Sequence, residues 1–294
     1  MSIASATTRT TTSRPGSYAV RDAVTMFRRV MKRALRYPSI AIVIVMMPVV
    51  FLLLFTYAFG GAIGAGIQGP QLTGDYIDYV APGIILMTVA TGSIGAALTI
   101  CMDKTEGIVN RFRTMSISRG SFLTGHVLGN LVQTVLGTVV VTGVALAIGF
   151  RPNASLVEWL AVIGLLTALA TALTWLSAGM GLTAKTVESA SNLPMPITFL
   201  PFLGSAIVPT DTMPGALQWF AEYQPFTPIN ETLRGLLMGT EIGNSAYVAL
   251  AWCAVIGLRG AQRSPGKELR VLQSSCHPSV TAETTPIWCR LPSS

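Results

Sequence analysis

The sequence predicts an all-α integral membrane protein with about six helical spans. Composition is the first ground: of 294 residues, 51% are hydrophobic and 11% charged, against about 25% charged in soluble domains. Length is the second, because the apolar residues fall in separate blocks of roughly 17–27, the extent a helix needs to cross about 30 Å of hydrocarbon. The third is the distribution of the 20 Lys and Arg residues. Eight precede the first block, four lie between blocks two and three, one follows block four and five follow block six, while the alternate loops hold only Arg151 and Arg234. This asymmetry is the positive-inside pattern, so the N-terminus, the loop from Asp103 to Arg119, the Lys185 loop and the C-terminus are expected in the cytoplasm. The formal charge of +7 therefore reports topology and not a nucleic-acid ligand.

Residues 1–17 are Ser/Thr-rich and too poor in apolar side chains for a packed core, which predicts a disordered N-terminus. Residues 18–38 read as an amphipathic interfacial helix. Val24, Phe27, Met31 and Leu35 form one stripe, Arg21, Arg28, Arg29, Lys32, Arg33 and Arg36 cover the rest, and Pro38 ends the pattern. Such a helix lies on the membrane surface near anionic headgroups. The spans are Ser39–Gly60, Tyr79–Cys101, Thr124–Phe150, Leu156–Lys185, Leu193–Pro209 and Ala246–Leu258. Continuous apolar runs favour helices over the alternating strands of a barrel. The first run is too long and starts too far from Met1 for a cleavable signal peptide.

Pro48 in span one, and Pro194, Pro196, Pro201 and Pro209 in span five, should kink or interrupt those helices. Gly125 and Gly129 form a G-x-x-x-G, a spacing that permits close helix approach. Between spans five and six, Thr210–Ser245 reads as two short helices in the outer leaflet. Thr212 with Pro214 starts one; Thr227 with Pro228 starts the other, which Gly239 stops. The triplets beginning at Asn153 and Asn230 are formal glycosylation sequons read as chance matches. The sixth span has only about 13 apolar residues before Arg259, about 20 Å of helix, so it needs recruitment of Ile242–Ser245 or snorkelling of Arg259.

Several function classes are set aside. No phosphate loop is present, and the Gly266-Lys267 pair lacks its preceding glycine and following hydroxyl, so the chain itself is not expected to hydrolyse ATP or to bind a cofactor. No Ser/His/Asp or paired-carboxylate arrangement stands out, and Asp75 and Asp78 read as solvated. His126 and His277 give no metal-ligand spacing, and Cys101, Cys253, Cys276 and Cys289 are expected as reduced thiols. The hydrocarbon portions of the spans contain no Asp, Glu, Lys or Arg, whereas ion-coupled transporters commonly depend on such groups. That points to a conduit driven from outside itself, or to a protein that does not transport. Met46, Met47, Phe51, Phe55 and Met87 could line an apolar path, or equally serve as packing or lipid-facing residues.

The stretch from Asp103 to Arg119, D-K-T-E-G-I-V-N-R-F-R-T-M-S-I-S-R, resembles the first cytoplasmic loop of type-2 ABC transporter permeases. The likeness is strongest to the daunorubicin-resistance-like group, where an acidic-Gly element precedes an R-F-R-S-L-P-I-S-R-like run. The surroundings agree: a basic helix before span one, Tyr79-Val80-Ala81-Pro82-Gly83-Ile84 opening span two, and Gly149-Phe150-Arg151-Pro152 after span three. Val208-Pro209-Thr210-Asp211-Thr212-Met213-Pro214 follows span five, and Gln224-Pro225-Phe226-Thr227-Pro228 lies beyond it. Ser116 stands where the family usually has Pro. The likeness runs from about residue 20 to 258 and then fades into Arg259-Gly260-Ala261-Gln262-Arg263-Ser264-Pro265 and a polar tail. Residues 259–294 are read as an atypical tail arising from a frameshift near Leu258, or as a natural polar extension. An apolar continuation in another frame of the DNA distinguishes the two.

The resemblance implies a six-helix type-2 ABC permease architecture over residues 39–258. It also implies the membrane subunit of an ATP-driven exporter of hydrophobic or amphipathic compounds, such as drugs, antibiotics or lipids, in a bacterial plasma membrane. Its partners would be a cytosolic ABC ATP-binding subunit, which carries the ATP and Mg, and a second permease copy or a similar chain. By the same resemblance Glu106, Arg111, Phe112, Arg113 and Arg119 belong to the segment that couples to the ATPase. A non-transporting assembly or sensor subunit is the alternative.

Overall fold

The computed structural model describes residues 24–25, 27–32, 35–36, 38–60, 76–105, 119–208, 213–239 and 243–262. Among them every regular element is helical. Helix α1 spans Pro38–Leu53, with Pro38 at the first position, where its missing N–H costs nothing. It passes through Pro48 and loosens into a π turn over Leu54–Phe59. Three long helices follow: α2 over Tyr76–Thr105, α3 over Arg119–Ile148 and α4 over Leu156–Thr183. These three are long and apolar enough to cross a membrane, whereas the apolar stretches Val45–Ala58 and Ser245–Gly260 are shorter.

The centre of the bundle is α2, whose residues from Tyr76 to Ala90 are buried apart from Asp78. It packs against α3 and α4, with α1 alongside. Small residues set these distances. A Cβ on Gly181 of α4 would stand 2.5 Å from the Ala97 carbonyl oxygen of α2, and one on Gly92 of α2 would stand 2.6 Å from Thr134 Oγ1 of α3. Ser93 and Ser177 share a hydrogen bond at 3.3 Å, and Asn130 donates to the Gly92 carbonyl at 3.1 Å. These polar groups of the interior thus find partners, as a low-dielectric surround demands. Gly129 of the G-x-x-x-G has a local use: its bare Cα seats Val30 of the N-terminal helical segment, whose Cγ1 would lie 2.6 Å from an added Cβ. Val30 is accordingly buried, while Val24 and Leu35 of the expected stripe are exposed.

The path from Leu193 to Ile207 is broken where a fifth span was expected. Helix α5 covers Val187–Asn192 and α6 covers Met195–Phe199. A 3-10 turn over Leu200–Leu203 and a further turn follow. Pro194, Pro196 and Pro201 each remove a backbone donor within eight residues, so no continuous ladder can run through. The short helices beyond are α7 over Gly215–Tyr223 and α8 over Phe226–Met238. Gly239 stops α8 in the left-handed region at φ 71°, as expected, but its N-cap is Pro225. Thr227 lies inside the first turn and donates its hydroxyl to the Ala221 carbonyl at 2.5 Å.

Helix α9 spans Ser245–Gln262, 18 residues, or about 27 Å. It is longer at both ends than the 13 residues the apolar run suggested. It continues past Arg259 because Gly260 lies against the α4 backbone, where a Cβ would stand 2.8 Å from the Leu176 nitrogen. The loop between α3 and α4 is equally built. Gly149 turns the chain at φ 130°, Phe150 is fully buried, and Asn153 N–H donates to the Leu237 carbonyl at 3.0 Å. Ser155, part of a formal sequon, caps α4 in a reciprocal box with Glu158. Asp78, expected to be merely solvated, accepts the Arg151 N–H at 3.3 Å.

Candidate functional site

Three ionisable side chains meet at the basic end of the bundle, near the end of α2 and the start of α3. Asp103 sits in the last turn of α2 with its side chain 2% exposed. Its Oδ2 lies 3.1 Å from His126 Nε2 on α3, itself 4% exposed, and its Oδ1 lies 3.5 Å from Arg29 Nη2 on the N-terminal helical segment. A carboxylate so enclosed is tolerable only with charged or hydrogen-bonding partners, and here the partners come from two other elements. The adjacent Lys104 turns the other way and donates to the carbonyls of Leu182 at 2.8 Å and Ala184 at 3.2 Å. It thereby satisfies and neutralises the C-terminal end of α4. Two consecutive residues of α2 therefore tie together the N-terminal segment, α3 and α4.

In the sequence, the anticipated coupling residues fall between Asp103 and His126. Glu106, Arg111, Phe112 and Arg113 lie outside the described residues. Arg119 is the first residue of α3, and its side chain is likewise outside them. The structure brings to the end of α2 a set that sequence reasoning passed over: Asp103, His126, Arg29 and Lys104. A signal was available, since a lone His within an apolar helix needs a polar partner, and Asp103 closes the preceding helix. Among the described residues no three His, Cys, Asp or Glu side chains group as metal ligands. The Asp103 and His126 side chains lie within hydrogen-bond distance.

A second polar knot stands at the opposite end. Arg234 of α8 donates from Nη2 to the Ser205 carbonyl at 2.7 Å and the Tyr79 carbonyl at 3.3 Å, and its guanidinium carbon sits 3.7 Å over the Tyr79 ring. Burial draws the guanidinium below the usual arginine range, against the opposing pull of Tyr79 and Glu231. Asn230, one turn earlier, donates to the same Ser205 carbonyl at 3.0 Å. Gly83 makes the close approach possible, because a Cβ there would lie 2.6 Å from the Ala206 carbonyl oxygen. The broken segment, α8 and α2 are thus clamped at one point.

Of the aromatic and Met residues considered for an apolar path, Met46 lines a groove between the N-terminal helical segment, α1 and α3. Met87 is 5% exposed and belongs to the core, while Met47 is exposed. Phe51 packs edge-on against Phe202 with centroids 5.2 Å apart and stacks on Phe55 at 6.1 Å. The first of these contacts anchors the 3-10 turn to α1.

Comparison with known proteins bears on what this arrangement does. The family described as ABC-2 type transporter matches residues 21–238. The daunorubicin resistance ABC transporter permease protein DrrB1 of Streptomyces coeruleorubidus is 28% identical over 241 residues, covering 82% of each chain. The probable doxorubicin resistance ABC transporter permease protein DrrC of Mycobacterium tuberculosis is 27% identical over 178 residues, 60% of this chain and 64% of its own. The putative transport permease ycf38 of Cyanophora paradoxa is 26% identical over 227 residues, 74% and 75% of the two chains.

Proposed function

We propose a role that proceeds from one premise: this chain belongs to the ABC-2 type transporter family. It is the permease subunit of an ATP-driven exporter that moves hydrophobic or amphipathic compounds out of a bacterial cytoplasm. The drug resistance named for two of its relatives supports that substrate class. An ABC ATP-binding subunit, carrying the ATP and Mg, docks at the basic end, and two permease copies form the conduit. Residues 39–258 form a six-span membrane domain whose fifth crossing is the broken path through α6. The N-terminal helical segment ahead of this domain lies in the membrane interface, and α9 carries the last crossing on to Gln262. The N-terminus is cytoplasmic, as the charge asymmetry requires.

The observation that carries the coupling role is the buried Asp103 between His126 and Arg29. ATP-bound and ATP-free motor subunits must prefer different permease conformations for hydrolysis to drive transport. Glu106, Arg111, Phe112, Arg113 and Arg119 form the contact surface, and the Asp103 knot turns a displacement of that loop into movement of α2, α3 and the N-terminal segment together. Charge reversal at Glu106 and at Arg111 tests this. Transport-linked ATPase activity falls while membrane insertion and subunit assembly persist; unchanged ATPase coupling in both variants contradicts the assignment.

A further inference from the structure

A groove of about 560 Å³ opens between the N-terminal helical segment, α1 and α3, within the range of about 300–1,000 Å³ in which small-molecule sites fall. Met31 and Leu35 roof it, Val45 and Val49 form one wall, and Leu136 and Val140 the other. Along α3 it runs from Asn130 to Val140, about 15 Å at the helical rise, half of the roughly 30 Å hydrocarbon core and thus the depth of one leaflet. Its polar wall residues are turned elsewhere. Thr88 donates to the Ile84 carbonyl at 2.8 Å, Gln133 to the Gly129 carbonyl at 3.4 Å and Asn130 to the Gly92 carbonyl at 3.1 Å. Thr134 Oγ1, which has no partner, faces Gly92. What remains is a long apolar slot with little to offer a hydrogen-bonding ligand.

Directly beside its roof, Arg28, Lys32 and Arg36 are exposed. At i, i+4 and i+8 they form one line, next to the line of Met31 and Leu35. A row of cations bordering a slot one leaflet deep is complementary to a molecule with an anionic head and an apolar tail. We infer that this groove seats an acyl chain of an anionic phospholipid from the leaflet at the basic end, with its phosphate held by Arg28, Lys32 and Arg36. The lipid would wedge the N-terminal segment against α1 and α3. This inference requires only that the chain is a membrane protein and does not depend on the exporter reading.

Reconstitution of the full chain into nanodiscs of phosphatidylcholine and phosphatidylglycerol, followed by native mass spectrometry of retained lipid, tests it. Wild type retains phosphatidylglycerol over phosphatidylcholine by roughly fivefold or more, given the attraction each basic residue near a surface contributes. Neutralising the three cations (Arg28→Gln, Lys32→Gln and Arg36→Gln) equalises the two lipids. Filling the slot by Leu136→Trp or Val140→Trp, both half-exposed positions, lowers retention of phosphatidylglycerol. Equal retention in wild type, or full retention in the filled variants, overturns the proposal. For a readout independent of variant folding, phosphatidylglycerol with a photoreactive acyl chain is applied to wild type. It labels residues 42–49 and 136–140 above the exposed face at Leu160 and Ile163. Uniform labelling, or cross-linking of position 136 to a second copy, overturns the assignment.

Discussion

At the residue scale, Asp103 is the group whose chemistry reaches furthest. Asp103→Asn keeps the shape and removes the charge that faces His126 and Arg29. It is expected to lower ATPase stimulation by transported compound roughly tenfold, the size of a typical coupling free energy, with insertion and nucleotide binding by the partner unchanged. Steady-state ATPase assays of the co-purified complex measure this, and wild-type stimulation in the variant would remove Asp103 from the mechanism. Three glycines offer a cleaner packing test. Gly83→Ala and Gly181→Ala push a methyl group into neighbouring backbone and should each destabilise by about 1–3 kcal/mol. Gly143→Ala meets nothing within 4 Å and should be neutral or slightly stabilising, since Ala is the better helix former by about 1 kcal/mol. Thermal unfolding in detergent separates the three. None of this partnering was legible beforehand: the chain shows that Gly is frequent and that His126 is solitary, but not which backbone each faces.

At the element scale, the clamp of Arg234 on Tyr79 and Ser205 should govern the stability of the broken segment and α8. Arg234→Lys keeps a charge but loses the planar guanidinium whose Nη2 reaches two carbonyls while the group covers a ring. Hydrogen exchange of amides in residues 204–208 and 226–238 should quicken by about tenfold, consistent with losing one or two net hydrogen bonds of about 1 kcal/mol each. Unchanged protection there would show that the clamp is incidental. Much of the element pattern was readable. Apolar block length marked α2, α3 and α4, the prolines of residues 194–201 foretold an interrupted path, and Gly239 marked the end of α8. What was misread follows from local rules losing to neighbours. Thr227 was a plausible cap, but its hydroxyl has a buried partner at Ala221. The sixth apolar run seemed to stop at Arg259, whereas contact between Gly260 and α4 carries the helix on to Gln262.

At the scale of the whole molecule, two polar knots bracket an apolar bundle around α2. One sits at the C-terminal end of α2; the other lies at the far end, where Tyr79 meets Arg234. Both are fixed to the same helix, so α2 is the element that joins the basic end to the broken segment and α8. That gives physical content to the family assignment, which itself was legible in the run from Asp103 to Arg119 because its residues recur in order with several distant motifs. The buried knots were not legible, since they join residues that sequence separates by 23 to 155 positions. The most direct test of the account is ATP-dependent export. Purified chain and an ABC ATP-binding subunit are reconstituted in liposomes with a fluorescent hydrophobic cation, and accumulation is followed with ATP, without ATP and with Asp103→Asn. The account predicts ATP-dependent movement that requires both subunits and is sharply reduced by Asp103→Asn. ATP-independent movement, or equal movement without the ATP-binding subunit, would contradict it.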